Sequence, residues 1–528
     1  MTTASEGRRA GVLLPLFSCP SSDSWGIGDI GDLEPVMRWL ASAGQRLVQL
    51  LPLNEMASGQ QSPYSAISAM ALDPLFIRVP SVPDFAALGG EEALGAVDRA
   101  AIEEARRSPR IEYAIVRGLK RRALEAAFER FHEAEWRPAT ARAEALVAFV
   151  SAQRWWLDDY ALFRALHERE AQRPWLEWPA ALQQRDPETL GRARAELGRE
   201  ILFYQYLQWQ ADVQWQAARR AARRHGVQLF GDLPFMVDGN SADVWAHQSI
   251  FILDASLGVP PDAFSATGQD WGMPVYNWPA IRKDGFQWLR ERARRMADLH
   301  DGYRVDHLVG FYRTYGRPRD GSASFFTPSV EEQQREQGET VLGVFLDHGA
   351  AIIAEDLGVV PDFVRESLAR LSIAGYRVFR WERHWHVDGQ PFRNPLDYPA
   401  CSVATSGTHD TEPLAVWWDD APAVERRQVG AIPIVAQLTG GVDLGEASFD
   451  NRLRDALLEA LNASGSDLLL LPIQDLFGWR ERINEPATVN DRNWTFRLPW
   501  PCDRLTGHPV AVERAAALRA WAERHGRR

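Results

Sequence analysis

GYRVDHLVGF, residues 302–311, reads as a short buried strand over 303–305 that delivers Arg304, Asp306 and His307 at its end. Side chains alternate across a strand, so Arg304 and Asp306 share one face and Val305 takes the other. An arginine beside an aspartate is a pairing that keeps a carboxylate ionised, as an attacking group must be. Taken alone, Arg-x-Asp is more often a structural ion pair at a strand end. The other strands decide between the two readings.

Seven further apolar runs share its form: GVLLPLF (11–17), RLVQLLPL (46–53), VQLFGDLPF (227–235), AIIAEDLG (351–358), YRVFRW (376–381), SVATSGTHD (402–410) and LLLLPIQDLFG (468–478). Helical periodicity falls between most of them, over 33–43 with Gly44 as its stop, and over 286–300, 361–371 and 451–463. Near-continuous apolar strands alternating with helices predict a parallel sheet covered on both faces. Eight of them close a (β/α)8 TIM barrel. An open doubly wound sheet is the alternative, but no GxxxxGK[ST] occurs in the chain.

Two stretches interrupt the rhythm. LDPLFIRVP (72–80) reads as one more extended piece. From 82 to 200 the chain is rich in Ala, Arg, Glu and Trp, with helical patterns over 114–131 and 141–169 and no convincing strand. A further helix is expected over 200–224, ended by His225-Gly226. The organisation expected is a first barrel part (1–81), a helical insertion subdomain (82–200) and the rest of the barrel (201–528).

Composition narrows the function. The 528 residues are 45% apolar and 25% charged, with 59 basic against 71 acidic side chains and a formal charge of −12. No global attraction to nucleic acid or an anionic membrane is expected. Three widely spaced cysteines suggest neither a disulfide framework nor a zinc site. The apolar run at 11–17 is too short for a signal core or a membrane span, so a cytoplasmic protein is expected. Tryptophan is abundant, at 21 residues, several of them at expected loop positions such as Trp25, Trp245, Trp271, Trp381, Trp418 and Trp494. Such rings suit the C–H face of a sugar, although they also fill cores.

A barrel of this kind places its site at the C-terminal strand ends. Those ends bring Asp232, then Arg304, Asp306 and His307, then Glu355 and Asp356, then His409 and Asp410, then Asp475. Asp356 and Asp475 fit helix caps. Several acids converging on one face without a function would repel one another. Glycosidic bond cleavage is the chemistry that uses them, with one carboxyl as nucleophile and another as acid and then base. Asp306 beside Arg304 suits the nucleophile, and Glu355, among other acids, suits the proton donor. A metal site is not expected, because His307 and His409 lie in no HxH or HExxH spacing.

The chain resembles the amylomaltase (disproportionating enzyme) family of 4-α-glucanotransferases, relatives of the α-amylases. The motifs are SPY (62–64), GDLPF (231–235), ADVWAH (242–247), PPDAFSATGQDWGMPVY (260–276), YRVDH (303–307), AEDLG (354–358) and GTHD (407–410). The resemblance implies Asp306 as nucleophile, Glu355 as acid/base and Asp410 as the third, transition-state-stabilising acid. It implies sugar contacts from Tyr64, Asp232, Gln269, Trp271, Arg304, His307, Asp356, His409 and Asn484. The expected substrates are α-1,4-glucans and maltooligosaccharides, with no cofactor; oligomeric state is not legible. An α-1,4-glucan hydrolase on the same scaffold and a catalytically silent glucan binder are the alternatives. Two stretches depart from the family pattern: LPLNEMASGQQSPY replaces LPLGPTG before SPY, and NEPATVNDRNW (484–494) carries Ala487 in place of a glycine.

Overall fold

The computed structural model describes residues 7–57, 59–261, 268–486, 488 and 490–527. Ser58 of the first atypical loop, the DAFSAT portion (262–267) of the longest motif, and Ala487 lie outside them.

Eight strands form a closed barrel: β1 (Arg9–Leu13), β2 (Leu47–Gln49), β3 (Gln228–Leu233), β4 (Gly302–Val305), β5 (Ala351–Ala354), β6 (Ala374–Val378), β7 (Ser402–Thr405) and β8 (Leu468–Pro472). Each pairs in parallel with its neighbours in sequence, and β8 closes on β1. These are the eight expected strands, although most are shorter than the apolar runs that mark them. Proline is one reason: Pro15 and Pro234 cannot donate to a ladder, and each follows a strand end directly or at one remove.

Strand alternation sorts the side chains into two cores. The lumen is filled by Leu47, Phe230, Ile353, Tyr376, Val403, Leu468 and Leu470. The larger core lies between the strands and the covering helices. Among these helices are α1 (Leu33–Ser42), α2 (Tyr113–Phe131), α3 (Ala141–Arg169), α4 (Gly198–His225), α5 (Gln287–Leu299), α6 (Asp362–Arg370) and α7 (Asn451–Asn462). The first ends on Gly44 and the fourth on Gly226, both with positive φ. Gly302 opens β4 because a Cβ there would come 2.5 Å from the Phe230 ring.

Along the lumen-facing parity each strand changes from apolar to polar toward its C-terminal end. Leu47 is followed by Gln49, Phe230 by Asp232, Gly302 by Arg304 and then Asp306, and Ile353 by Glu355. The period of two that packs the barrel floor therefore also aims the polar groups at its mouth.

Between β2 and β3 the chain is helical. α3 packs along α4, which returns against α1 and leads into β3. Asp84, fully buried, gathers Arg130 at 2.7 Å, Arg142 at 2.6 Å and the Tyr206 hydroxyl at 2.9 Å, tying these helices together. One sequence expectation fails. Residues 72–80 are not extended but form the 3-10 turns Pro74–Phe76 and Val79–Ser81, because Asp73 caps the Leu75 N–H at 2.8 Å and two prolines break any ladder. The β3–β4 and β4–β5 connections also share an antiparallel sheet, with Ala255–Val259 between Thr314–Pro318 and Gln269–Asp270. Its strands are too short and too polar to give a period. No helix among the described residues is long and apolar enough to cross a membrane.

Phe230 fills the lumen directly beneath Asp232 and Arg304, so Phe230→Ala should leave a cavity and cost about 3–5 kcal/mol. Urea denaturation of parent and variant checks this; a cost below about 1 kcal/mol would mean that the lumen does not depend on the ring.

Candidate active site

The deepest polar layer is a single guanidinium between two carboxylates. Arg304 is 4% exposed; its Nη1 donates to both oxygens of Asp232, at 2.9 and 2.8 Å, and its Nη2 to Asp306 Oδ1 at 2.6 Å. Adjacent strands make this possible, since Asp232 stands abreast of Arg304 in the β3–β4 register. The Tyr64 hydroxyl donates to Asp232 Oδ2 at 2.9 Å. Burial, and then the charge of Asp306, push the Asp232 carboxyl up to about 6 against the pull of Arg304. Both carboxylates in turn hold Arg304 charged despite its burial.

Asp306 and Glu355 lie one residue beyond β4 and β5. Val305 pairs with Ala354, so the two acids extend their strands side by side. Neighbouring strands are about 4.8 Å apart, close to the roughly 5–5.5 Å between the carboxyls of retaining glycosidases and well short of inverting pairs. Glu355 accepts the His307 N–H at 2.8 Å and the Leu357 N–H at 3.0 Å. His307 reaches it from a left-handed backbone (φ 42), an uncommon conformation for a residue with a Cβ. Burial first, and then the negative charge of Asp306, raise the Glu355 carboxyl to about 7, although Arg304 and the two N–H groups oppose them.

Asp410 behaves in the opposite way. Burial alone would raise it, but His409, at 3.2 Å, the Asn484 amide, at 2.7 Å, and Arg304 outweigh this and hold it down at about 2. Its side chain is 39% exposed, so the anion faces the cleft. Arg482 fixes the local backbone by donating to the Asp410 carbonyl at 2.7 Å. His409 is buried, with Nε2 at 3.0 Å from the Tyr64 hydroxyl and its ring stacked on Tyr64. Trp494, also left-handed (φ 65), packs against both rings.

The loop carrying Tyr64 is braced from the helical segment. Asn54 bridges to Leu72 and Met56 to Ala66, while the buried Glu55 between them accepts the Tyr160 hydroxyl and pairs with Arg164 at 3.2 Å. Across the mouth, Trp271 meets the His307 ring edge-on at 4.8 Å and donates to Gln269 Oε1 at 3.2 Å. Burial lowers His307 to about 4, so its ring is neutral at pH 7.

Of the twelve site residues expected from the sequence, Tyr64, Asp232, Arg304, Asp306, His307, Glu355, His409, Asp410 and Asn484 form one bonded cluster, with Gln269 and Trp271 joined through His307. Asp356 stands apart: its carboxylate accepts the Tyr376 N–H at 2.8 Å and faces Arg377 rather than the cluster. Asp475 lies inside the helix that follows its strand rather than capping it; it accepts from Ser406 Oγ and from the N–H of Leu414, which opens the helix Leu414–Asp420. Trp25, Trp245 and Trp418 are core residues, whereas Trp381 and Trp385 are exposed. Sequence reading missed Arg482 and Glu55. Neither sits in a motif, and each acts through contacts with distant parts of the chain.

The family model described as 4-alpha-glucanotransferase, glycoside hydrolase family 77, matches residues 14–503. A 4-alpha-glucanotransferase of Chlamydia pneumoniae is 32% identical over 507 residues, which is 94% of this chain and 93% of that protein. One from Thermus thermophilus is 31% identical over 527 residues, with 98% of each chain covered. Among solved structures, the amylomaltase from Streptococcus agalactiae in complex with acarbose matches with a TM-score of 0.82 at 26% identity, over 98% of this chain and 99% of that one.

Removing one partner of a buried ionic group strands the others, so Arg304→Met should cost about 3–5 kcal/mol. Asp232→Asn in the same chain should recover part of that loss. Urea midpoints of the parent, both single variants and the double variant measure the coupling. Additive losses across the four would rule out the shared network.

Proposed function

This chain belongs to the 4-alpha-glucanotransferase family, and we propose that it carries out transfer by a double displacement through Asp306 and Glu355. An Asp306 oxygen attacks the anomeric carbon of an α-1,4-linked glucose as the C1–O4 bond breaks. Glu355 gives its proton to the departing oxygen. The glucosyl ester on Asp306 is then attacked by the 4-hydroxyl of a second sugar, whose proton passes to Glu355. Two inversions give retention, and the acid is ready for another cycle.

The observation that carries this reading is the contrast between two carboxyls on adjacent strands. Glu355 is raised to about 7 and so holds a proton near neutrality, while Asp306 is ion-paired at 2.6 Å to a buried guanidinium. A carboxyl that keeps its proton suits the acid, and one held in an ion pair suits the nucleophile. Asp410, an anion from about pH 2 upward, stabilises the positive charge that develops on the ring. Tyr64, His409 and Asn484 place that anion, and Asp232 places Arg304. Gln269, Trp271 and His307 supply polar and aromatic surface for the sugars, and Asp356 supports the strand end from outside the cluster. We assign residues 82–200 to a helical subdomain whose contact with Glu55 holds the Tyr64 loop. The substrates are α-1,4-glucans and maltooligosaccharides.

Incubation with maltotriose, followed by chromatography, should give glucose together with chains longer than three units; glucose and maltose alone would indicate hydrolysis. Asp306→Asn should abolish turnover while the protein remains folded and still binds glucan.

The pH dependence follows from Glu355. Its proton is needed in the first step and is lost above about 7, so kcat/KM should fall roughly tenfold per pH unit on the alkaline side. Stopped assays between pH 5 and 9, about two units either side of that value, provide the check, and a flat profile would remove Glu355 from the acid role.

A further inference from the structure

The chain is acidic overall, with a formal charge of −12, yet one groove outside the catalytic cluster is strongly basic. It has a volume of about 990 Å³ and lies between residues 106–110 and residues 479–501. Seven arginines and two glutamates line it. Several of these arginines are engaged by acids nearby, but three have no carboxylate partner among the described residues. Arg110 and Arg492 are exposed, and among the described residues neither guanidinium meets a carboxylate. Arg497, half-buried, donates only to the carbonyls of Ala105, Ser108 and Arg106, at 2.9, 2.8 and 2.7 Å.

An aromatic wall completes the groove. Trp479 and Trp500 meet at 5.4 Å and 64°, forming two faces of a corner. Trp479 is backed by Phe477 at 4.5 Å, and Trp500 by His508 at 4.0 Å, so both are held in place. Arg482, which also donates to the Asp410 and Asn484 carbonyls, lines the same groove and joins it to the catalytic cluster.

Guanidinium forks match a group with several anionic oxygens, and a corner of indole rings matches the C–H faces of a sugar. A carboxylate offers two oxygens to this set of donors; a phosphate monoester offers three. Nucleic acid fits poorly, because the positive charge is confined to one groove on an acidic chain. We propose that this groove binds a sugar phosphate monoester, carried either on a glucan chain or on a free hexose, beside the catalytic cleft. The sugar part of the proposal rests on the glucan reading of the active site; the anionic part does not.

Calorimetry on the Asp306→Asn chain tests it without turnover, using maltoheptaose, maltoheptaose 6-phosphate, glucose 6-phosphate and inorganic phosphate as probes. The phosphorylated chain should bind at least about tenfold tighter than the neutral one, roughly 1.4 kcal/mol, and the difference should shrink with added salt. Arg110→Ala with Arg492→Ala should abolish that preference. The same pair in the parent chain should leave maltotriose disproportionation unchanged. Glucose 6-phosphate binding as tightly as the phosphorylated chain identifies the free hexose ester as the ligand; much weaker binding identifies the phosphorylated glucan. Equal affinity for neutral and phosphorylated chains overturns the proposal. So does a preference that survives the double substitution, or inorganic phosphate binding as well as the esters. Maltotriose disproportionation by the parent chain reports on the active-site reading separately.

Discussion

A guanidinium taken out of water needs negative partners, and Arg304 has two. With Asp306 alone the pair would be neutral, and the nucleophile's charge would be spent within it. Sharing the guanidinium with Asp232 leaves two carboxylates on one cation, a net charge of −1 at the mouth of the barrel. In the proposed mechanism that surplus charge sets a negative field where an oxocarbenium-like transition state develops. Its members act on Glu355 in opposite directions: Arg304 pulls that carboxyl down, while Asp306 raises it. The raised Glu355 carboxyl thus comes chiefly from burial, and the ion pair of Asp306 from the network.

The barrel makes this network reproducible. Asp232, Arg304, Asp306 and Glu355 come from three consecutive strands, and the ladder registers fix which residue stands beside which. Asp306 and Glu355 extend neighbouring strands, whose spacing is set by backbone hydrogen bonds rather than by loops. Asp410 is held differently. It follows β7 in a loop, and its position depends on Asn484 and Arg482, from beyond β8, and on His409 beside Tyr64. Tyr64 depends in turn on a loop braced by Tyr160 and Arg164 of the helical segment. The Asp306–Glu355 side of the site is therefore built on the sheet, and the Asp410 side on segments distant in sequence.

This division explains what the sequence made legible. Strand alternation exposes Arg304, Asp306 and Glu355, because one period governs both the lumen packing and the aim of the polar groups. The eight apolar runs disclose the barrel for the same reason. Asp356 follows Glu355 directly, and the motif alone does not distinguish them; the Tyr376 N–H that draws Asp356 aside belongs to the next strand. Glu55 and Arg482 have no local signal, since their roles exist only through partners more than 70 residues away. The short turns at 74–81 imitate a strand because the apolar run Leu75-Phe76-Ile77 reads as one, while the prolines at 74 and 80 cannot join a ladder.

Four acids at one barrel mouth would destabilise the fold if all carried unopposed charge. The structure relieves each by a different means: Asp232 by a bidentate guanidinium, Asp306 by the other arm of the same group, Asp410 by an imidazole and an amide, and Glu355 by a proton held up to about pH 7. Only the last of these can be lost without moving a side chain. The backbone N–H groups of His307 and Leu357 point at Glu355 whether or not the proton is present, so the anion left after proton donation finds its hydrogen bonds already in place. The left-handed turn at His307 is the cost of that arrangement, and the β4–β5 ladder beneath it is what the turn is anchored to. The proposed alternation of Glu355 between acid and base thus takes place at a site where both forms meet hydrogen-bond partners already in position.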